Sequence, residues 1–356
     1  MMNKTFTDQP FPKRILVIKL RHHGDMLLTT PVLQTLHDNF PNAEIDVLLY
    51  KETEPMLKNH PVIHHCYHID KNWKKISKRQ HIKHEMALLK ALRQRQYHLV
   101  INLADQWRSA LITRMTAAPI RLGFNFAKRK HWFWQTSHTE LVTVDSHETM
   151  HTVEQNLSIL SPLQLAKTST KTTMSYLKSD KVKVEQLLAE NHVDKNYIVI
   201  HPASRWFFKC WSENKMAQLI NSLENQQIIL TASPDEHELT MLNDILAQCK
   251  KTDIVNLAGQ LTLPQLAALI DNARLFIGVD SVPMHMAAAL STPYVALFGP
   301  SKLTHWHPWE ASGETLWAGD YGPLPDPDAV DTATTIRYLD LIPVNRVLDS
   351  ARRLLQ

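Results

Sequence analysis

Three stretches of this chain place acids, bases and hydroxyls where an apolar run stops, and each suits one part of a group transfer. The first is Arg21-His22-His23-Gly24-Asp25. A carboxylate just after a glycine, at a turn from strand to helix, can serve as a general base; it can equally cap or charge a helix amino end. Arg21, His22 and His23 suit that loop to facing an anion. The second stretch runs from His201 to Trp211, HPASRWFFKCW. Ser204, Arg205 and Lys209 could hold phosphate by hydrogen bonds and charge, with the aromatic residues shielding them. The alternative is a surface loop anchored by buried tryptophan. The third is Phe276 to Ala289, which contains Asp280, Ser281, Val282, Pro283, Met284 and His285. Pro283 suits a first helical turn, and the amides from Ser281 to Met284 would form an anion site at the positive end of that helix. Asp280 could then orient sugar hydroxyls, while His285 either joins the site or packs between helix and sheet.

The elements that must carry these loops are legible as alternating strands and helices. Arg14 to Leu20 is a short apolar run suited to a strand buried on both faces, and Met26 to Phe40 has helical spacing. Ala43 to Tyr50 completes a strand–helix–strand unit, and His98 to Leu103 reads as a further strand after a basic helix. The second half repeats the theme, with strands expected at Tyr197–His201, Gln227–Ala232, Ile254–Leu257, Leu275–Val279 and Tyr294–Phe298. Helices are expected between them, and a last one from Pro343 to Leu355. This alternation predicts an open, doubly wound parallel sheet in each half, where ligands meet the carboxyl ends of strands. Gly24, Gly278 and Gly299, three of only eight glycines, fall at such ends.

Composition narrows the function. The 356 residues include 39 Lys plus Arg and 35 Asp plus Glu, with 44% apolar residues, enough for packed cores and too apolar for wholesale disorder. Cys66, Cys210 and Cys249 are too few and scattered for a disulfide framework or a zinc site, which suggests a reducing compartment. No secretory-type leader pattern is read at the start. The longest mostly apolar stretch, Val282 to Gly299, contains His285 and two prolines and reads as helix, turn and strand, not as a membrane span. Residues 1–160 hold 22 Lys plus Arg against 14 Asp plus Glu, a net of +8, while the remainder holds 17 against 21, a net of −4. A basic first half suits an anionic partner. Clusters from Lys71 to Lys83 and from Lys128 to Trp134 mix cations with aromatics, as an anionic lipid surface or a phosphorylated glycan requires. Nucleic acid is disfavoured because no nucleic-acid module is recognised. Neither a Gly-x-Gly-x-x-Gly turn after a first strand nor a Walker loop is present, which disfavours nicotinamide redox chemistry and nucleotide triphosphate hydrolysis. Asp326-Pro-Asp328 imitates a metal clamp, but it lies in a proline-rich tail without a preceding strand and reads as a rigid loop.

On five segments the chain resembles the family 9 glycosyltransferases, the heptosyltransferases of lipopolysaccharide inner-core synthesis, and among them those that add the branch heptose. The segments are Arg14 to Pro31, Asn102 to Trp107, His201 to Trp211, Leu275 to Ala289 and Leu297 to Ser301. Gly-Asp-x-x-x-x-Thr-Pro and Val-Asp-Ser-x-x-x-His are specific as a pair. The resemblance implies an α/β GT-B fold, two Rossmann-like doubly wound parallel-sheet domains facing a central cleft. Residues 1–165 would bind acceptor, 166–180 would link, 181–335 would bind nucleotide sugar, and the helix in 336–356 would pack back on the first domain. It implies inverting transfer of L-glycero-D-manno-heptose from ADP-heptose to the second heptose of the core, with no cofactor and no metal. Asp25 would be the base. Ser204, Lys209 and the amides of Ser281, Val282 and Met284 would hold the diphosphate, Asp280 the donor sugar and Glu236 the ribose, with His285 in the donor site. Arg21, His22, His23, Gln106, Arg108 and Arg121 would face the acceptor. The implied partners are ADP-heptose, the lipopolysaccharide inner core and the cytoplasmic leaflet of the inner membrane, met peripherally. The rival readings are another inner-core heptosyltransferase of the family, a GT-B-like sugar-nucleotide epimerase that needs no acceptor, and a lipopolysaccharide-binding protein without chemistry.

Overall fold

A computed structural model describes residues 12–144, 148–194 and 196–356. The chain divides into two compact units, 1–173 and 174–356. In the first, the elements follow as β1 (Arg14–Ile18), α1 (His23–Leu27), α2 (Thr30–Asn39), β2 (Glu44–Tyr50), β3 (Ile63–Ile69), α3 (Lys78–Gln94), β4 (Leu99–Asn102), α4 (Trp107–Thr116), β5 (Ile120–Phe124), α5 (Trp132–Ser137), β6 (Glu140–Val142) and α6 (Thr152–Ser158). The strands form one parallel sheet in the order β3-β2-β1-β4-β5-β6. The run Ile15 to Ile18 is fully buried, as a central strand covered on both faces must be. One face of this sheet packs Leu16, Ile18, Leu48 and Val100 against Leu88 and Leu92 of α3 and Ile112 of α4.

The second unit repeats the plan with α7 (Lys178–Glu190), β7 (Tyr197–His201), α8 (Glu213–Ser222), β8 (Gln227–Leu230), α9 (Glu236–Gln248), β9 (Ile254–Asn256), α10 (Leu263–Asp271), β10 (Leu275–Val279), α11 (Val282–Leu290), β11 (Tyr294–Phe298), α12 (Leu303–Trp306), β12 (Gly313–Trp317) and α13 (Val344–Leu355). Its order, β12-β11-β10-β7-β8-β9, is the same arrangement counted from β7. Every pairing in it is parallel. In each sheet the chain's winding reverses between the first and fourth strands, so a crevice opens at the carboxyl ends of β1 and β4 and again at those of β7 and β10. Gly278 lets β10 lie close to β7 here: a Cβ on it would stand 2.6 Å from the Phe276 ring and 3.2 Å from the His201 carbonyl.

Four strands escape the sequence reading: β3, β5, β6 and β12. β3, IHHCYHI, carries two exposed histidines, and β6 and β12 each begin on exposed residues. β3 and β12 are sheet edges, as is β6. The apolar signal of an edge strand is diluted because one flank meets water.

The expected linker is corrected in part. Residues 167–173, polar enough to read as part of a linker, are clipped along α2. Lys167, Ser169 and Thr173 donate backbone N–H to Asn39 Oδ1, Thr35 Oγ1 and Thr30 Oγ1 at 3.1, 2.9 and 3.0 Å. The final helix is built into the second unit. Val347 and Ala351 of α13 belong to the core of the second unit, with Val344, Leu348, Leu354 and Leu355 packed against it. Arg353 clamps Glu314 of β12 through Nε and Nη2 at 3.0 and 2.7 Å, fixing the helix on its own sheet. Its apolar stripe packs on β10, β11 and β12. Among the described residues no helix is long and apolar enough to cross a membrane.

Candidate active site

The sequence puts its first chemical loop directly at the β1/β4 crevice. Asp25 lies in α1, a five-residue helix, and is nearly buried. Its Oδ2 accepts the His22 backbone N–H at 3.2 Å, so the capping reading holds for one oxygen. His23 is a tether: its Nε2 is 2.8 Å from the Glu52 carbonyl, and burial lowers its pKa, which suits a neutral ring donating there. Arg21 and His22 are exposed. Gln106, from the loop after β4, donates Nε2–H to the Leu20 carbonyl at 3.0 Å and so ties the two crevice walls together. Arg108 pairs with Glu85 of α3 and lies 5.7 Å from the Trp73 ring.

Two residues of this crevice escaped the sequence reading. Lys19 follows β1 and is buried, its Nζ donating to Asn156 Oδ1 at 2.9 Å. Burial lowers its pKa and Arg21 adds to that, while the carboxylates of Asp25 and Asp105 pull it back up. Asp105 is also buried and takes Lys128 Nζ at 2.5 Å and Arg21 Nη2 at 3.2 Å. Burial alone would raise its carboxyl, but these two cations outweigh that and hold it below the ordinary value. The crevice therefore holds two carboxylates and three cations, a charge-rich floor in an apolar sheet. One signal for Lys19 was present: a lysine ending an otherwise apolar strand, six residues before Asp25.

Arg121 does not belong here. It is the second residue of β5, paired with Val100 near the amino end of β4. Its Nε and Nη1 donate to the carbonyls of Ser137 and Ala118 at 2.9 and 2.6 Å. A local sequence gives no sign of which end of a strand a side chain will serve, and this one braces the end remote from the crevice.

At the β7/β10 crevice the second and third loops meet. Lys209 Nζ is 2.6 Å from Asp280 Oδ2, both side chains largely buried, and the Ser204 hydroxyl is 3.4 Å from the Asp280 carbonyl. The indole of Trp206 lies 5.2 Å from the Lys209 ammonium and stacks on Phe208. Trp211 and Cys210 are fully buried, so the loop is anchored by tryptophan and still presents Lys209 and Ser204 to Asp280. The reading of a loop anchored by buried tryptophan holds.

Ser281 is the N-cap of α11 and its buried Oγ has no hydrogen-bond partner among the described residues. Pro283 contributes no N–H, so Ser281, Val282 and Met284 supply the amides at this nine-residue helix's positive end. His285 is buried within the same helix. Glu236 is the exposed first residue of α9, after the carboxyl end of β8, with Asp235 capping the helix through Oδ1 to the His237 N–H at 3.0 Å. The Asp326–Asp328 pair acts locally: Asp326 caps its own turn and Asp328 pairs with Lys302 at 2.6 Å.

Residues 85–336, more than half of the chain, match glycosyltransferase family 9 (heptosyltransferase). The chain is 40% identical over 338 residues to lipopolysaccharide heptosyltransferase 3 of Escherichia coli, covering 94% of this chain and 97% of that one. It is 26% identical over 313 residues to lipopolysaccharide heptosyltransferase 2 of Escherichia coli strain K12, covering 81% and 83%. Two solved structures share the fold. The glycosyl transferase family 9 from Veillonella parvula DSM 2008 matches with a TM-score of 0.82 at 21% identity over 96% of this chain and 97% of that one. Escherichia coli heptosyltransferase WaaC with ADP matches with a TM-score of 0.75 at 19% identity over 96% and 99%. A family match over this span, a relative at 40% identity and paired α/β units with charged crevices at both reversal points converge: the chain belongs to glycosyltransferase family 9, the heptosyltransferases.

Proposed function

We propose that this chain transfers L-glycero-D-manno-heptose from ADP-heptose to the second heptose of the lipopolysaccharide inner core, with inversion and without a metal ion. The observation that carries this reading is the Lys209–Asp280 pair beneath the amino end of α11. A lysine, a serine hydroxyl and helix amides converge where a leaving diphosphate needs positive charge, and together they supply what a cation otherwise would. Asp25 is the base. Its carboxylate takes the proton of the acceptor hydroxyl as that oxygen bonds to the anomeric carbon. The bond from that carbon to the diphosphate oxygen breaks, its electron pair leaves with ADP, and one displacement inverts the centre. Lys209 and the α11 amides receive the charge on the leaving group, Asp280 and Glu236 orient the donor's heptose and ribose, and Arg21 and Arg108 meet the anionic acceptor. An acceptor of this kind is anchored in the cytoplasmic leaflet, which the protein would visit peripherally.

Incubation of the protein with ADP-heptose and a truncated lipopolysaccharide should release ADP and yield the branch linkage, undiminished by a chelator. Asp25→Asn should cut turnover by about 100-fold or more while ADP-heptose binding persists. Normal turnover in that variant removes Asp25 from the mechanism, and loss of activity with the chelator removes metal independence. Conversion of the donor with no acceptor present would replace transfer with epimerisation.

A further inference from the structure

Helix α4 carries a second apolar stripe on its outer face. It buries Ala110 and Ile112 together with Ser109, Thr113 and Thr116, while Trp107, Leu111 and Met115, spaced four apart along one face, are each about four-tenths exposed. An amphipathic helix ordinarily buries the large apolar stripe and leaves the hydroxyls to water. Its neighbours continue the pattern. Trp132 at the start of α5 is 63% exposed, and Ile82 and Met86, one turn apart on α3, are 62% and 58% exposed. α3 packs on α4 and α4 on α5, so these helices form one layer over the first unit's sheet. Every exposed large apolar side chain among the described residues of that unit lies between Ile76 and Trp132.

The charge of the same layer is one-sided. From Lys71 to Trp134 there are 15 Lys plus Arg and two acidic residues, Glu85 and Asp105, a net of 15 − 2 = +13. Both acids are already engaged, Glu85 by Arg108 and Asp105 by Arg21 and Lys128. Lys78, Arg79, Lys83 and Lys90 of α3 and Lys130 before α5 stand exposed around the apolar side chains. Large apolar residues in a cationic surround, with Trp at the rim, match a bilayer interface in which acyl chains lie beneath anionic headgroups.

We infer that the outward layer of α3, α4 and α5 docks this protein on an anionic phospholipid bilayer. Trp107, Leu111, Met115 and Trp132 enter the headgroup region, and the α3 lysines and Arg79 meet lipid phosphate. The inference deepens the proposed function, whose acceptor is membrane-anchored, yet it requires no acceptor to be tested.

The test uses the full chain with vesicles free of glycolipid, either neutral phosphatidylcholine or the same lipid with about one-third phosphatidylglycerol. Sedimentation should carry the protein down with the anionic vesicles only, and added salt should release it. The variant Leu111→Ser/Met115→Ser/Trp132→Ser should partition about tenfold or more weakly while its melting temperature and ADP binding match the parent. A second variant, Lys78→Gln/Lys83→Gln/Lys90→Gln, should flatten the salt dependence. Equal partition onto both vesicles, or parent-like binding by the two variants, overturns the inference. So does retention by polynucleotide with none by anionic vesicles. Vesicle binding without sugar transfer would sink the proposed function and leave the docking surface standing; transfer to a soluble acceptor without vesicle binding would do the reverse.

Discussion

A lysine and an aspartate 2.6 Å apart and mostly buried constrain each other, and Lys209 and Asp280 show what that means for a donor site. Breaking the pair leaves a carboxylate without its cation, while adding a diphosphate gives the cation a second anion to share. Lys209→Met should therefore weaken ADP binding by about tenfold or more, near 1.4 kcal/mol, in isothermal titration. Lys209→Arg should restore part of that, since the charge returns on a different fork. Equal ADP affinity in all three proteins would take Lys209 out of the diphosphate site. Lys19 and Asp105 teach a different lesson about single residues. The sequence showed both, yet their meaning depends on Asn156 and Lys128, which lie 137 and 23 positions away and are brought in only by folding.

Elements carry their own internal supports, and β2 has the least expected one. Asp46, the third residue of β2 between Ile45 and Val47, is fully buried, yet it is fully employed: Arg95 Nε and the Tyr97 hydroxyl each donate to its Oδ2 at 2.8 Å. The Asp46 hydrogen bond pushes Arg95 upward in pKa, and burial together with this carboxylate pushes Tyr97 upward. Asp46→Ala leaves a buried phenol and a partly buried guanidinium without their acceptor, so urea unfolding should show a loss of about 3 kcal/mol. A loss under about 1 kcal/mol would mean that water replaces the carboxylate at no cost. The sequence exposed β1, β4, β7 and β10 clearly, because strands covered on both faces are apolar without interruption, and the chemical loops following β1, β7 and β10 stood out against them. Edge strands such as β3 and β12 did not, since half of each answers to water. The stripe on α13 announced a buried face without saying which sheet would receive it, and Arg121 looked like a site residue until its strand's direction was known.

Across the molecule, the two units differ in how they should meet acid. His60 and His138 in the first unit and His201 in the second are buried, and burial drops each to about 4 from an ordinary 6.5. Their partners suit the neutral ring. His138 can donate Nδ1–H to the Trp134 carbonyl at 2.8 Å while Nε2 accepts the Asn102 amide at 3.0 Å, an arrangement that a second ring proton would break. Between pH 6.5 and 4 the unfolded chain binds protons at these positions and the folded chain does not, so stability falls as pH falls through that window and levels off below it. At pH 5 each histidine should cost about 2 kcal/mol relative to neutral pH, and the first unit carries two of the three. The net charge of +8 over residues 1–160 adds self-repulsion to the first unit. Hydrogen exchange at pH 5 should therefore open β1, β2 and β4 before β7, β8 and β10, with the order disappearing at pH 7.5. Simultaneous opening of both sheets at pH 5 would show that these histidines are not what sets acid stability, and would shift attention to the carboxylates of the charged crevices instead.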